Sequence, residues 1–383
     1  MIPDSIEILL MLMLTAASCS LLGVFLVLKK MALLSDAIGH VLLLGIVLAY
    51  FVTGDLQSIF LVIGAALSGL LLVALVEWLA RSRLVKEDAA IGLAFPALFA
   101  LGILLASLYC SHTHLDIDRV FFGIPELAPL QRVIIGVYDV GMFSRWLMTG
   151  VVVLNAAFII LFFKELKLAT FDAALAATLG FYPVVLHYAL LGLVSLTAVA
   201  AFEAVGPVLV VGFMIVPPAT AYLLTDRLHR MVVYSVCIGA VGSAIGAQVA
   251  QYFDVNIAGT VATVLGIQFA LAFIFAPQHG RVVQIRQRLR QRREFFEQML
   301  LIHLLQHEGT PEQEEESRVA GLHEHLRRSP REVARIVKSI TRKNLAIISG
   351  TSLDLTLMGR EQAQRVIGVA SSSDGLPSTT ATG

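Results

Sequence analysis

The stretch LLSDAIGHVLLLGIVLAY, residues 33–50, sets Asp36 and His40 four residues apart in a run that is otherwise almost wholly apolar. On a helix that spacing stacks both side chains on one face. A carboxylate at the centre of a membrane helix costs about 2.5 kcal/mol or more to keep ionised, so it marks a pathway or a polar partner. Two readings are open. The pair can be a packing hydrogen bond, between the two residues or from a neighbouring helix to a neutral Asp36. It can also offer a carboxylate oxygen and an imidazole nitrogen to a divalent ion, a donor set that suits Mn, Fe or Zn and suits Cu(I) poorly. Ser35, Ala37, Gly39 and Gly45 are small enough to let a second helix come close. Two ligands do not complete a shell, which suits a cargo that must leave again.

Other polar residues in apolar surroundings are secondary candidates. Glu203, in AFEAVGPVLVVGFMIVPPATAYLLTDRLHRM, falls near the outer end of a span, as an interfacial carboxylate or as a further ligand. Pro217 and Pro218 interrupt the next apolar helix and precede the basic loop from Thr225 to Arg230. Prolines break the helical ladder and are tolerated where a partner re-satisfies the backbone. The expectation is a bent helix leading into a short cytoplasmic amphipathic piece, with Arg227, His229 and Arg230 either facing a partner or only fixing topology. In SHTHLDID, His112, His114, Asp116 and Asp118 alternate, as a surface metal site or as a solvated loop.

Several chemistries are excluded. The chain has no Gly-Lys pair, hence no Walker phosphate loop with which to hydrolyse ATP itself. It also lacks a GxSxG elbow, an HExxH pair and a Cys-rich metal knuckle. Cys19, Cys110 and Cys237 are scattered and read as small apolar residues, so neither a disulfide framework nor a permanently bound cofactor is expected.

The elements that must position these residues follow from composition. The chain is 57% hydrophobic and 15% charged, with a mean hydropathy of +0.81, against roughly 25% charged in soluble domains. This is the composition of a polytopic membrane protein. Apolar windows of bilayer-crossing length fall near 6–28, 31–53, 57–80, 89–109, 145–163, 183–202, 205–224, 231–252 and 257–276. The first, MIPDSIEILLMLML, has acids where a signal peptide would be basic and reads as a retained span. Lys29 and Lys30, Arg81, Arg83 and Lys86, Lys164 and Lys167, and Arg227 and Arg230 occupy alternate connections, which the positive-inside rule assigns to the cytoplasm. Nine spans then put the N-terminus outside and the C-terminus inside. The expected fold is an all-α polytopic membrane protein, residues 1–280, followed by a small cytoplasmic domain, 281–370, and a disordered tail, 371–383.

Charge changes at that boundary: residues 1–280 hold 12 Lys and Arg against 16 Asp and Glu, and the last 103 hold 16 against 12. RVVQIRQRLRQRR, 281–293, opens the extension with six Arg, a segment attractive to anionic lipid. REFFEQMLLIHLLQHEG carries a helical apolar stripe. SPREVARIVKSITRKNLA has a Ser N-cap with Glu332 three residues on. LAIISGTSLDLTLMG reads as two short strands about a Gly-containing turn, with a last helix from GREQAQRVI. Arg331, Arg335 and Lys338 share helical spacing, with Arg342 and Lys343 just beyond, as a basic face for lipid or DNA. Glu312, Glu314, Glu315 and Glu316 oppose it, and DNA binding is not the favoured reading.

VLKKMALLSDAIGHVLLLGIVLAY, RLVKEDAAIGLAFPALFALGILL, KELKLATFDAALAATLGF and AVGPVLVVGFMIVPPATAYLL resemble, in order, the signature blocks of the metal-type ABC transporter permeases of bacterial manganese, zinc and iron importers. The resemblance covers residues 1–280. It implies a permease subunit in the bacterial inner membrane, paired with an identical or different permease subunit, above a cytoplasmic ATPase pair and below an extracytoplasmic metal-binding protein. It assigns Asp36 and His40 as the ion's stop in the membrane, a kind of site usually found near the bilayer midplane, and 217–231 as the ATPase-docking segment. The extension resembles the winged helix of metal-dependent repressors without their dimerisation and metal domain. Manganese or iron is therefore favoured as cargo, with zinc the third candidate. A membrane-tethered, metal-responsive regulator is the alternative.

Overall fold

The computed structural model describes residues 4–54, 59–82, 84–109, 132–135, 138–277, 280–319, 321–325 and 329–373. The chain divides into two compact units, Met1–Arg281 and Val282–Gly383.

The first unit is built on α1 (Asp4–Leu28), α2 (Ala32–Thr53), α3 (Ile59–Arg81), α4 (Glu87–Tyr109), α5 (Phe143–Leu161), α6 (Phe163–Phe171), α7 (Ala173–Thr178), α8 (Pro183–Val205), α9 (Pro207–Leu224), α10 (Leu228–Phe253) and α11 (Ile257–Phe275). All but α6 and α7 are long and apolar enough to cross a membrane, nine in total among the described residues. Each coincides with one of the nine apolar windows. Helix α1 is the centre of the unit, with Met11, Leu12, Cys19, Leu22 and Phe25 fully buried and with α5, α8, α9 and α10 packed on it. Small residues set the closest crossings. At Gly45 of α2 a Cβ would lie 2.1 Å from the carbonyl oxygen of Gly64 on α3, so the two backbones touch as only glycine permits. Polar groups fasten other crossings: Asn155 of α5 donates to the Thr197 hydroxyl of α8 at 2.9 Å and toward the Ser18 carbonyl of α1 at 3.4 Å.

Helix α9 is continuous through Pro217 and Pro218, where the sequence suggested an interruption. Pro217 has no N–H for the Phe213 carbonyl, and that oxygen accepts the Ser20 hydroxyl of α1 at 3.4 Å instead. Pro218 leaves the Met214 carbonyl without its helical donor, and Gly23 of α1 lies against it: a Cβ there would come within 2.1 Å of that oxygen. The separate amphipathic piece is absent too. Thr225 and Asp226 make the turn, Arg227 caps α10, and His229 and Arg230 belong to its first turn. A second departure is a two-stranded hairpin between α4 and α5, β1 (Arg132–Ile135) and β2 (Tyr138–Met142), where no strand was expected.

The second unit comprises α12 (Arg281–His307), α13 (Gln313–Glu316), α14 (Leu322–His325), α15 (Pro330–Arg342), β3 (Ala346–Ser349), β4 (Ser352–Leu355) and α16 (Leu357–Ser373). Ser329 caps α15 by accepting the Glu332 N–H, as its sequence suggests. The apolar stripe of α15, Val333, Ile336, Val337 and Ile340, closes on Leu300, Leu301 and Leu304 of α12 and on Leu353 and Leu355 of β4. Antiparallel β3 and β4 turn at Gly350, and an isolated bridge from Arg318 to Ser352 adds a third extended segment. Helix α16 runs three residues past the expected limit of 370; residues 374–383, most of the proposed disordered tail, lie outside the described residues.

Candidate functional site

Asp36 and His40 sit in the first turns of α2, and the structure brings them together: His40 Nε2 lies 3.6 Å from Asp36 Oδ1. Two donors bound to one ion at about 2.1 Å each are separated by about 3.4 Å in tetrahedral geometry. The pair is therefore within a small side-chain rotation of a shared ion. Both remain accessible, with side-chain exposures of 36% for His40 and 48% for Asp36. Phe95 and Phe99 of α4 flank the imidazole, with ring centroids 5.9 and 5.5 Å away. Pro96 stands between these rings in sequence and removes a rung of the α4 ladder opposite the pair. Behind the pair, Gly39 faces Phe202 of α8, whose ring would lie 2.5 Å from a Cβ at that position. At 1.5 Å per residue Asp36 and His40 lie about 6 and 12 Å along a helix of about 33 Å. The pair thus lies nearer the Lys29–Lys30 end of α2 than its middle.

The remaining expected residues divide. Glu203 lies in the last turn of α8, directly after Phe202, and its side chain is outside the described residues. His112 and His114, with Asp116 and Asp118, also lie outside them. Pro217 and Pro218 are buried, which gives them a packing role against α1. Arg227, His229 and Arg230 are exposed.

Sequence reading missed a second carboxylate–imidazole centre. Glu77 of α3 meets His187 of α8, Nε2 to Oε1, at 2.7 Å, with both side chains about four-fifths buried, at 20% and 18% exposure. The Tyr188 hydroxyl donates to Glu77 Oε2 at 2.5 Å and Arg81 approaches the same oxygen at 3.4 Å. Lys29, in the turn just after α1, lies 3.1 Å from His187 Nδ1. With Lys29 donating to Nδ1, the ring proton sits on Nε2 and points at Glu77. The signal was half present: Glu77 and Arg81 are an i,i+4 pair in the preferred orientation. Their partners in α1 and α8 are too distant in sequence to be read locally. Also missed was the exposed apolar surface of α6 and α7, where Phe171, Leu175 and Leu179 are 64%, 47% and 58% exposed. Asp172 between these helices caps α7 through the Leu175 N–H at 2.9 Å.

In the second unit Arg331, Arg335, Lys338, Arg342 and Lys343 are all exposed, but they are not equivalent. Arg335, Lys338 and Arg342 line a cavity of about 440 Å³ together with Arg292 and Arg293 of α12. Lys343 instead bonds to Glu297, which Arg293 also reaches at 3.2 Å. Burial opposes the Glu297 charge, yet the hydrogen bonds from Lys343 and Ser339 and the positive field of Lys343 and Arg293 prevail, holding its carboxyl below the usual carboxylate range.

A bundle of nine span-length helices with an accessible carboxylate–imidazole pair on an inner helix is the architecture of a multi-pass membrane permease. Residues 5–276 match the ABC 3 transport family, and the chain belongs to that family. It is 44% identical over 271 residues to the manganese transport system membrane protein MntD of Bacillus subtilis, covering 71% of this chain and 92% of that one. It is 40% identical over 366 residues to the zinc transport system membrane protein TroD of Treponema pallidum, covering 96% of this chain and all of that one. An alignment of that length takes in the second unit as well. Among solved structures, PsaBC from Streptococcus pneumoniae in complex with Fab superposes with a TM-score of 0.60 at 30% identity, covering 73% of this chain and 94% of that one.

Proposed function

We propose that this chain is the membrane subunit of an importer for divalent transition-metal ions, working with a separate ATPase pair, a second permease subunit and an extracytoplasmic metal-binding protein. The observation that carries the reading is the Asp36–His40 pair, adjustable, accessible and well short of a closed shell. A paired subunit, water or both would complete the coordination, and alternating access would expose the pair to one side and then the other. Manganese is the leading cargo, since a carboxylate and an imidazole suit it and the manganese protein MntD is 44% identical. The extension does not separate the metals, because TroD, named for zinc, aligns across it. Metal content of cells lacking the chain tests this directly: a fall in manganese is expected, and a fall confined to zinc would overturn the choice.

The ATPase would dock on the connections after α5 and α9. Helices α6 and α7 offer exposed Phe171, Leu175 and Leu179, and the other connection offers exposed Arg227, His229 and Arg230. By alternation of spans both lie on one side, together with the Lys29–Lys30 turn and the C-terminus, the cytoplasmic side by charge. Leu175→Asp should abolish co-purification of the ATPase if that surface docks it. Charge reversal at Arg227 and Arg230 should weaken co-purification, and its full retention would leave those residues a topological role only.

The second unit would be a winged-helix-like module acting in place. What supports this is its element order, in which a long and a four-residue helix, an extended segment, two helices and a hairpin follow one another. The basic cavity between α12 and α15 would receive anionic lipid or an acidic face of the ATPase rather than DNA. Neither the family nor the relatives named above favour the regulator alternative.

A further inference from the structure

The second unit holds a constellation that none of the preceding roles uses. His303 and His307 lie one turn apart on α12 with ring centroids 4.8 Å apart. Glu316, at the end of α13, brings a carboxylate oxygen to 3.3 Å from His303 Nε2. One donor atom from each of the three residues lies within 4.8 Å of the others, and all three are partly buried. Two imidazoles at i,i+4 facing one carboxylate from another segment are a set that Mn, Fe and Zn accept with positions left open. Beside them is a small cavity of about 10 Å³, lined by His307, Glu308, Gln313, Ser317 and Asp354, with room for about one water molecule. Ser317 is 5% exposed, and its hydroxyl, at the edge of this cavity, has no hydrogen-bond partner. A water on an ion held by the three ligands would give that hydroxyl its bond.

We propose that His303, His307 and Glu316 form a divalent transition-metal site in the C-terminal unit, and that its occupancy reports the imported ion to the rest of that unit. The site stands without the transport reading; the reporting role rests on it. The route is covalent and short. Glu316 is followed by Ser317, whose carbonyl accepts the Leu353 N–H at 3.0 Å. Val319 N–H donates to the Thr351 carbonyl at 3.0 Å, and Arg318 bridges Ser352. An ion that clamps Glu316 to α12 therefore also fixes the segment that carries the β3–β4 hairpin. Without it, Glu316 still meets His303 Nε2 through its carboxylate at 3.3 Å and its backbone carbonyl at 3.4 Å, and an ion would add His307 to that link.

The test uses the full chain without a polyhistidine tag, in nanodiscs and carrying Asp36→Ala, His40→Ala, His112→Ala and His114→Ala, so that neither the membrane pair nor the SHTHLDID segment contributes. Titration with Zn²⁺, and with Co²⁺ as a spectroscopic probe, should show one ion per chain. Glu316→Gln keeps the side-chain shape and should weaken binding at least about tenfold, the least that a lost ligand costs when outer partners already cost that much. His303→Asn with His307→Asn should abolish binding. Hydrogen exchange across 308–319 and the hairpin should slow on Zn²⁺ addition in the parent chain and not in these variants. No bound ion in the parent, or binding unchanged in both variants, would overturn the site. Slow exchange without Zn²⁺ that does not change on loading would overturn the clamp. Uptake by the Asp36 and His40 variants, measured separately, decides the transport reading, so the two fail independently.

Discussion

Asp36 and His40 of α2 face each other at 3.6 Å, half accessible, with aromatic rings on one side. Glu77 and His187, in the same unit, meet at 2.7 Å in an enclosed setting where Tyr188, Arg81 and Lys29 complete the network. The chemistry is shared and the surroundings are opposite. A carboxylate whose lone pairs are taken up by His187 and Tyr188 of α8 and Arg81 of α3 is a fastener, since admitting an ion would mean breaking several charge-assisted bonds. A pair held only loosely to itself can trade that contact for an ion and take it back. Ionisable residues in membrane helices are thus not equally good candidates for function, and their partners decide between the two roles.

The largest expected effect separates these roles through stability. Glu77→Ala leaves His187, Arg81 and Lys29 facing an emptied site and should destabilise the permease by about 3 kcal/mol. Thermal unfolding of the purified protein would show it, while Asp36→Ala should leave the midpoint in place. Equal destabilisation by both would erase the contrast. Glu77→Gln retains an acceptor for Tyr188 and loses the charge, so a smaller cost of about 1–2 kcal/mol is expected in the same measurement. Ser20→Ala strands the Phe213 carbonyl that Pro217 cannot serve, for about 1 kcal/mol; an unchanged midpoint would show that α9 tolerates its prolines without α1. The smallest effect belongs to the second unit. The Glu297 carboxyl is held below its usual 4.5, so its contribution is complete above about pH 4.5 and is lost as pH falls through the lower folded value. Protection of 295–307, taken relative to the intrinsic amide exchange rate at each pH, should fall in that acid range, and Glu297→Gln should flatten the dependence.

How much of this could be read from the sequence depends on range. The nine spans were legible because twenty apolar residues in a row suffice, and the Ser329 cap and the Gly350 hairpin because a few adjacent residues encode them. Asp36 and His40 were legible because i,i+4 spacing is local. The fastener was not, since Lys29 and His187 are 158 residues apart and Glu77 and Tyr188 are 111 apart. The continuity of α9 was hidden for a related reason: the proline rule is local, but the hydroxyl that relieves it comes from Ser20, 193 residues away. The hairpin before α5 escaped because its register shifts between Val133 and Ile134, which breaks the two-residue alternation by which strands are read.

The central claim is that the accessible pair, and not the enclosed one, carries the ion. Manganese uptake into vesicles holding the complete importer tests it most directly, with Asp36→Ala, His40→Ala and a stably folded Glu77→Gln compared at matched protein levels. The account predicts that each of the first two reduces uptake at least about tenfold, as loss of a ligand should, with ATPase assembly and thermal midpoint unchanged, and that Glu77→Gln transports normally once folded. Uptake preserved in the Asp36 and His40 variants, or lost in Glu77→Gln alone, would contradict it.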